Sequence, residues 1–403
     1  MPAGLTDAYI PHTMSKNPHV YVVGGGFAGL QAVGALLRRA PTARITLIDK
    51  NDYATMLPAL PDVLSGRVRS AAITRRFADI VDSDRVEVIR DEIVHVDAAQ
   101  RVLHGSAEHY QYDYLILTSG STPQYYGFTP ENGQLHSAHS FAAVSALRDA
   151  VKDQAREHSS CDVVVVGAGY TGLEVAACLR HGMRHNSVRP QITVVEVADE
   201  ILPFLKPAER QRVRDYLDAI GVTLRTGVSL QRYADGRAEL SDGTAVDKAI
   251  VCWSAGMRAE CSELSGNVER TRDSRLHTNE FLQLPVHPEI FVAGDAAALQ
   301  KDGRFVRRAV NFAFYSGRAA GRNVAAALSA KRMHAFRPVD LGWVIPLGEI
   351  SRGRILGGIP VGGRFGLRVH YLMCGIRSFG AADAVEFYKT ALCLSRQPEP
   401  IES

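Results

Sequence analysis

The feature that most constrains this chain is a glycine-rich pattern that occurs twice. Residues 20–30 read VYVVGGGFAGL and residues 162–174 read DVVVVGAGYTGLE. Each copy is a β-branched run that breaks into glycines and continues as an apolar helix. Such a run predicts a strand, a turn that needs glycine, and a helix whose N-terminus faces phosphate groups with its partial positive charge. Two copies in one chain predict two bound dinucleotides.

The glycines of the first copy are expected to have separate roles. Gly24 and Gly26 let a pyrophosphate approach the backbone, and Gly29 lets the helix pack closely on the strand. The glycines at the same places in the second copy are Gly167, Gly169 and Gly172. A glycine-rich turn also occurs without a ligand, so the surrounding sequence has to support this interpretation.

Each copy is followed by a second predicted strand that ends in an acid. The first is RITLID, ending at Asp49 about 20 residues beyond the turn, and the other is QITVVE, ending at Glu196. Asp49 is interpreted as a ribose ligand; the alternative is a solvated acid at a strand end. A carboxylate at Glu196 accepts a hydrogen bond from a ribose 2′-hydroxyl and repels a 2′-phosphate, which favours NADH over NADPH. Arg189 lies nearby in the sequence, and because an arginine can bind a 2′-phosphate, NADPH stays open as the alternative nucleotide.

Three further strands are predicted to end in small-residue turns. Residues 112–123 contain Gly120 after a buried strand, residues 249–256 end at Gly256, and residues 289–297 deliver Gly294-Asp295. Ligands of doubly wound sheets bind at the carboxyl ends of the strands. Asp295 is therefore a candidate to bind a polyhydroxy chain such as ribitol, or else it caps a helix. A helix rich in Ala and Gly is predicted over about 309–330.

Composition sets limits on the class of protein. With 403 residues, 46% apolar and 22% charged, the chain has room for two or three globular domains. The net charge of +3 gives no reason to expect a nucleic-acid partner. Residues 301–403 are basic, with sixteen Lys/Arg against seven Asp/Glu. This tail is interpreted either as a surface for an anionic membrane or as an ordinary solvated face.

The cysteines and the N-terminal residues indicate a cytoplasmic protein. Residues 1–16 lack the pattern of a signal peptide, and no apolar run approaches the ~20 residues of a spanning helix, which still permits attachment to a membrane surface. The cysteines show no metal-ligand spacing, so a reducing compartment and no metal site are expected. They are Cys161, Cys178, Cys252, Cys261, Cys374 and Cys393.

The order of these motifs resembles that of two-dinucleotide flavoproteins. Within that group the chain resembles the type II NADH:quinone dehydrogenases, from about His19 to about Lys389, with further matches in YDYLIL at 112–117, EILP at 200–203 and Leu341-Gly342. The resemblance implies FAD and NADH as cofactors. It implies that FAD is held by Gly24, Gly26, Phe27, Ala28, Gly29, Asp49, Lys50, Gly120, Gly294 and Asp295, and NADH by Gly167, Gly169, Gly172, Glu196 and Gly256.

The resemblance also implies an α/β fold with two Rossmann-like domains, the FAD domain being interrupted by the NAD domain. The expected boundaries are 17–130 and 276–335 for the FAD domain and 131–275 for the NAD(H) domain. Residues 336–403 are expected to form a C-terminal region for homodimerisation or membrane contact. This region contains possible amphipathic helices around 365–374 and 382–395.

One motif departs from the family. Quinone-reducing members carry A-Q-x-A-x-Q-x-G after the Gly-Asp strand, whereas residues 309–317 read AVNFAFYSG and contain neither glutamine. A Pro-Leu-Leu-Tyr-type segment is likewise replaced by Pro-Ala-Leu-Pro at 58–61. The quinone pocket is therefore predicted to be altered or absent, which leaves the electron acceptor open.

The leading hypothesis is a ping-pong oxidoreduction in which NADH reduces the flavin, which then reduces a quinone or another acceptor. Glu174 is the candidate acid near the nicotinamide, or else an acid favoured by the helix dipole. Ala309 and Val310 would offer backbone donors to the flavin. The alternatives are a sulfide:quinone oxidoreductase using Cys161 and Cys374, and an NADH-binding redox sensor of low turnover. A dithiol reductase is set aside because no cysteine pair lies between Gly29 and Pro61.

Overall fold

The computed structural model describes residues 17–131, 135–158, 160–183, 189–261, 263–356 and 358–394. The described residues form two compact units. The first, the N-unit, takes its residues from Met1–Asp52, Val81–Gly120 and Ala259–Pro338. The second, the M-unit, takes its residues from Tyr53–Ile80, Ser121–Arg258 and Val339–Ser403. Each unit is thus built from three separate stretches of chain.

The helices and strands follow the predicted alternation. In chain order the helices α1 to α9 are Phe27–Arg39, Asp62–Ser65, Ser70–Ile73, Phe141–Glu157, Tyr170–Gly182, Pro207–Ala219, Val310–Leu328, Gly363–Ile376 and Ala381–Leu392. The strands β1 to β27 are His19–Val23, Arg44–Asp49, Tyr53–Thr55, Thr74–Arg76, Val86–Arg90, Ile93–Asp97, Val102–Gly105, His109–Gln111, Tyr114–Leu117, Ser121–Pro123, Leu135–Ser137, Asp162–Val166, Gln191–Glu196, Val222–Thr226, Leu230–Ala234, Arg237–Leu240, Ala245–Val246, Ala249–Trp253, Met257–Ala259, Glu263–Leu264, Gln283–Leu284, His287–Val292, Gln300–Lys301, Arg304–Phe305, Gly342–Leu347, Ile350–Ile355 and Ile359–Gly362.

The N-unit is organised around a six-stranded sheet in the order β21-β22-β9-β1-β2-β5. Strand β1 lies between β2 and β9 and pairs with both in parallel, with Val22 opposite Leu47 and Ile116. Strand β22 adds to β9, also in parallel. The strands β1, β9 and the second half of β22 are apolar and almost wholly buried, as is typical of parallel sheets covered by helices. Because β1, β2, β9 and β22 pair in parallel, the carboxyl ends of these four strands lie along one edge of the sheet.

Helices α1 and α7 of the N-unit pack closely against each other. A Cβ atom at Gly317 would lie 2.0 Å from the carbonyl oxygen of Ala28, and one at Gly321 would lie 2.5 Å from that of Ala32. Real Cβ atoms do not approach backbone oxygens so closely, so only glycine permits this contact. The two glycines therefore fix the spacing and register of the helices.

The M-unit repeats the arrangement with a five-stranded sheet in the order β11-β18-β12-β13-β14. Its pairs are parallel, with β12 between β13 and β18. A smaller antiparallel sheet, β15-β16-β17, packs on it through a core that includes Val164, Tyr233 and Trp253. The prediction of an α/β fold built on two Rossmann-type parallel sheets is confirmed.

The stretches Tyr53–Ile80 and Val339–Ser403 belong to the M-unit. In the first, β3 and β4 form a hairpin around short helical turns. In the second, β25, β26 and β27 form an antiparallel sheet that is followed by α8 and α9. The domain boundaries drawn from the sequence follow nucleotide fingerprints rather than packing, and they stay a prediction.

None of the helices in the described part of the chain has the length and apolarity needed to cross a bilayer.

Candidate functional site: two acid-braced glycine turns

The first glycine turn lies at the carboxyl edge of the N-unit sheet. Gly24 has a φ of +99°, and a Cβ there would lie 2.4 Å from the carbonyl oxygen of Thr118. At Gly29 a Cβ would lie 1.9 Å from the carbonyl oxygen of Gly24. Both positions therefore need glycine for the strand, turn and helix to pack. A Cβ at Gly26 would meet nothing within 4 Å, so this position opens on free space.

Gly26 is the N-cap residue of α1. A serine or aspartate at this position would accept hydrogen bonds from the first N–H groups of the helix, and glycine has no side chain to do so. The turn thus combines open space with a helix N-terminus, where Phe27 and Ala28 begin the first turn. That combination suits a phosphate group.

The carboxylate of Asp49 braces this turn from the end of β2. Its Oδ2 accepts the N–H of Gly25 at 2.7 Å, and its Oδ1 accepts the N–H of Asn51 at 2.8 Å. Burial raises the pKa of Asp49, against the effect of these hydrogen bonds. The neighbouring Lys50 points to a different partner, since its Nζ lies 2.5 Å from Oε1 of Glu260.

The remaining predicted residues of the N-unit lie on elements that end at the same sheet edge. Gly120 follows β9 with a φ of +79°, and a Cβ there would meet nothing within 4 Å. Gly294 follows β22; its N–H donates to the Ser316 hydroxyl at 2.9 Å. Asp295 comes next, in a short 3-10 turn that contacts α7, and is partly buried.

Helix α7 also begins near this edge. Ala309 is its N-cap residue, and Val310 is its first residue; both are partly buried. Like glycine, alanine at an N-cap cannot accept a hydrogen bond from the helix with its side chain. The N-termini of α1 and α7 and the carboxylates of Asp49 and Asp295 thus all lie at the carboxyl edge of the N-unit sheet, with Asp49 at the end of β2 and Asp295 just beyond β22.

The second glycine turn, in the M-unit, has nearly the same geometry. Gly167 has a φ of +103°, and a Cβ there would lie 2.8 Å from Cα of Ala255. At Gly172 a Cβ would lie 1.9 Å from the carbonyl oxygen of Gly167, the same distance as in the first copy. Gly169, the N-cap residue of α5, again opens on space with nothing within 4 Å.

Glu196 braces the second turn as Asp49 braces the first. Its Oε2 accepts the N–H of Ala168 at 2.7 Å, and its Oε1 accepts the N–H of Ala198 at 3.1 Å. Gly256 lies beyond the end of β18 with a φ of +99°, and a Cβ there would lie 2.4 Å from the Tyr126 hydroxyl. These residues gather at the carboxyl edge of the M-unit sheet.

Glu174 lies in the second turn of α5, beside a cluster of buried polar groups that the sequence did not indicate. The Tyr371 hydroxyl donates to Oδ1 of Asp62 at 2.8 Å. Nη1 of Arg67 donates to the carbonyl oxygen of Gly348 at 2.5 Å and lies 3.4 Å from the Tyr371 hydroxyl. Asp62 and Tyr371 are buried, so this cluster joins α2 to α8 through a polar contact in the interior of the M-unit.

Burial controls the protonation of this cluster. It raises the pKa of Asp62 to about 6, although the Arg67 charge and the Tyr371 hydrogen bond favour the ionised form. It also raises the pKa of Glu174 well above its usual range, and the Asp62 carboxylate adds to that rise. The cluster therefore combines a carboxyl group with a pKa of about 6 and a second one whose ionised form burial strongly disfavours.

Sequence reasoning missed Asp62, Arg67 and Tyr371 because no local signal marks them. Asp62 and Tyr371 are 309 residues apart. The nearest signal was the proline-broken apolar stretch at 53–66, where a charged residue is unusual. Tyr371 lies in the predicted amphipathic segment 365–374, which the structure shows as α8.

The fold and the two turns define an α/β protein with two dinucleotide-binding sheets. A family model described as pyridine nucleotide-disulphide oxidoreductase matches residues 18–317. The chain therefore belongs to the pyridine nucleotide-disulphide oxidoreductase family, and the resemblance to two-nucleotide oxidoreductases predicted from its motifs is confirmed.

The chain is also similar to individual members of known activity. The chain is similar to the type II NADH:quinone oxidoreductase of Staphylococcus aureus strain NCTC 8325, with 24% identity over 375 residues, which are 86% of this chain and 91% of the relative. Among solved structures it is similar to NDH2 from Plasmodium falciparum in complex with NADH, with a TM-score of 0.83 and 12% identity over 96% of this chain and 100% of that one. It also resembles the sulfide:quinone oxidoreductase of the hyperthermophilic bacterium Aquifex aeolicus, with a TM-score of 0.73 and 16% identity over 93% and 92% of the two chains.

Proposed function

We propose that this chain is an FAD-dependent oxidoreductase that takes hydride from NADH and passes the electrons to a quinone. The observation that carries the proposal is the pair of matched glycine turns, each opening on space at its N-cap glycine and braced by a carboxylate. Membership of a family of pyridine nucleotide oxidoreductases makes one of the two nucleotides NAD(P)H. The relative from S. aureus is named for NADH and quinone, and it supports NADH as the electron donor and a quinone as the electron acceptor.

FAD fits the N-unit. Its pyrophosphate would lie over Gly24, Gly26 and Gly29, with Phe27 and Ala28 at the helix N-terminus, because a Cβ at Gly26 meets nothing within 4 Å. Asp49 would accept ribose hydroxyls, and Asp295 would bind the ribitol chain. Lys50, Gly120 and Gly294 complete the proposed set. When bound, FAD supplies the chemistry of hydride acceptance and of electron transfer to a second substrate.

The residues at the start of α7 would support the flavin electrostatically. The main-chain N–H groups there carry the partial positive charge of the helix, and no N-cap side chain at Ala309 competes for them. We propose that Ala309 and Val310 direct these donors at the negative charge that develops on the flavin during reduction.

NADH fits the M-unit, where Gly167, Gly169 and Gly172 would hold its pyrophosphate. Each oxygen of Glu196 accepts one backbone N–H, and a carboxylate has further lone pairs for a ribose hydroxyl. A 2′-phosphate would meet the negative charge of Glu196 and be repelled. Gly256, at the end of β18, completes the proposed set.

Glu174 is the proposed proton-holding residue. Quinone reduction consumes protons as well as electrons, so a carboxyl group whose protonated form is favoured suits such a site. Burial, and after it the neighbouring Asp62, raise the pKa of Glu174 well above its usual range, which favours its protonated form. The role of Asp62, Arg67 and Tyr371 is to keep that environment dry and fixed.

The sulfide:quinone alternative is less well supported. It needs reactive thiolates, and the proposed pair is Cys161 and Cys374. Both are buried, and burial raises the pKa of Cys161 to about 11 and that of Cys374 still higher. Such thiols stay protonated and poorly nucleophilic at neutral pH. The absence of both family glutamines from residues 309–317 keeps a low-turnover redox sensor as the second candidate.

Anaerobic stopped-flow spectroscopy on the purified yellow protein tests the proposal. Mixing with NADH should bleach the flavin rapidly, NADPH should act more slowly, and sulfide should have no effect. A quinone should then restore the oxidised spectrum. Fast bleaching with slow reoxidation by every quinone tested would favour the sensor, and a protein that purifies without flavin would refute the whole proposal.

We further propose that the protein is a homodimer at the cytoplasmic face of the membrane. On α8 the exposed side chains of Phe365, Leu372 and Ile376 recur at helical spacing and form an apolar stripe, with the exposed Arg368 between them. Apolar side chains flanked by arginine suit the surface of an anionic bilayer. Vesicle co-sedimentation with a variant carrying both Leu372→Ser and Ile376→Ser tests the membrane contact, and unchanged sedimentation would refute it.

Light scattering on the purified protein tests the proposed homodimer, and a monomeric mass would refute it.

A further inference from the structure

Four arginines of the N-unit surround a cavity that lies away from the glycine turn. The cavity has a volume of about 290 Å³ and is lined by Ala35, Arg38, Arg39, Arg318 and Arg322. Arg38 and Arg39 come from the last turn of α1, and the other two are one turn apart on α7. With a rise of 1.5 Å per residue, Arg38 lies about 18 Å along α1 from Gly26, so this is a separate location.

The packing of the two helices forces these arginines together. Gly321 brings α7 so close to α1 that a Cβ there would lie 3.0 Å from Cβ of Ala35, at the floor of the cavity. Arg322 follows Gly321 directly. The arginine side chains cannot move apart by separating the helices, because the contacts at Gly317 and Gly321 hold the helices in register.

The arginines lack opposite charges nearby. Over the described ranges, none of the four has a carboxylate within 4 Å of its guanidinium group or forms a side-chain hydrogen bond. The Nε atom of Arg318 is moreover buried without any hydrogen-bond partner in that part of the chain. Burial lowers the pKa of Arg322, and the charges of Arg318, Arg39 and Arg38 lower it further. The cluster therefore concentrates uncompensated positive charge.

Ordinary structural roles explain only half of this cluster. Arginines in the last turn of α1 are favourable because the helix dipole places negative charge there. Arg318 and Arg322 lie in the middle of α7, where the dipole gives no such benefit, and like charges at i and i+4 destabilise a helix. An anion bound between the two helices would offset the positive charge of both arginine pairs, the one on α1 and the one on α7.

We propose that this cavity binds a small anion carrying two or more phosphate groups, held by Arg38, Arg39, Arg318 and Arg322. The planar guanidinium fork binds phosphate oxygens in pairs, and four such groups match a ligand with several negative charges. The cavity lies just below the roughly 300–1,000 Å³ range of small-molecule sites, which suits a compact polyanion rather than a large ligand. A soluble phosphate compound and a phospholipid headgroup share this chemistry.

The test uses the full-length flavoprotein with saturating NAD⁺, so that both nucleotide turns are occupied. Inorganic pyrophosphate is titrated calorimetrically, and vesicles of phosphatidylglycerol in phosphatidylcholine are compared with phosphatidylcholine alone. There are two cluster variants, each with two substitutions. The first is Arg318→Gln with Arg322→Gln on α7, and the second is Arg38→Gln with Arg39→Gln on α1. The matched control is Arg332→Gln, Arg337→Gln, which removes the same charge from exposed positions of the N-unit.

We expect pyrophosphate to bind one site with an affinity that falls at least tenfold in either cluster variant and changes less than twofold in the control. If only vesicle binding falls in the cluster variants, the phosphate belongs to a lipid headgroup. Pyrophosphate and vesicle binding that both survive in the cluster variants, or that weaken equally in the control, would overturn the proposal. Because the two cluster variants alter different helices, failure of one to fold leaves the other to decide.

Discussion

Replacing Glu196 by glutamine should weaken NADH binding about 10- to 100-fold. In the structure both carboxylate oxygens accept a backbone N–H, from Ala168 at 2.7 Å and from Ala198 at 3.1 Å. Glutamine keeps the size of the side chain but has one oxygen and one NH₂ group. Its NH₂ group would face one of these two donors, so the turn loses an acceptor in addition to the negative charge proposed to bind the ribose.

The magnitude follows from the value of a hydrogen bond to a charged group, about 1.5–3 kcal/mol. At about 1.4 kcal/mol per factor of ten, one lost bond to the ribose corresponds to roughly a 10- to 100-fold change in Kd. The loss of negative charge should also narrow the preference for NADH over NADPH, because a 2′-phosphate is no longer repelled.

The assay is the concentration dependence of flavin reduction in anaerobic stopped-flow, with NADH and NADPH in parallel. Asp49→Asn is the matched control, since Asp49 accepts the N–H groups of Gly25 and Asn51 in the same way. It should lower the flavin content and leave the NADH affinity of the flavin-loaded fraction unchanged. A Glu196→Gln protein whose NADH affinity stays within twofold of the wild type would refute the assignment of Glu196.

Two further outcomes are expected. Gly29→Ala should reduce flavin retention and destabilise the protein by about 1–3 kcal/mol or more, because the new Cβ would lie 1.9 Å from the carbonyl oxygen of Gly24. A variant that keeps its full flavin content and a normal Tm would contradict this. His370 is buried, and burial lowers its pKa to about 4. Histidine in the unfolded chain has a pKa near 6.5. Between pH 6.5 and 4 the unfolded state therefore binds a proton that the folded state does not, and about 3 kcal/mol of folding stability should be lost as the pH falls through this range. Chemical denaturation across this range should show a shallower loss in His370→Gln, and parallel curves for both proteins would exclude this contribution.

Much of the nucleotide chemistry could be predicted from the sequence because it depends on local sterics. A positive φ at Gly24 and Gly167 and the close approach of each helix to its strand are consequences of glycine at fixed spacings. The acids at the ends of the second strands follow from the alternation of strand and helix. These short-range patterns determined the α/β class and the two turns without any knowledge of long-range contacts.

The tertiary structure decided what distant residues do together. Asp62 and Tyr371, at opposite ends of the M-unit's sequence, meet only because α2 and α8 belong to the same unit. Likewise, Arg38 on α1 and Arg318 on α7 line one cavity because two glycines let the helices touch. Desolvation, which raises the pKa of Asp62 and Glu174, depends on everything that surrounds a group in space. A sequence pattern records neighbours along the chain, whereas burial and charge clustering are properties of neighbours in the fold.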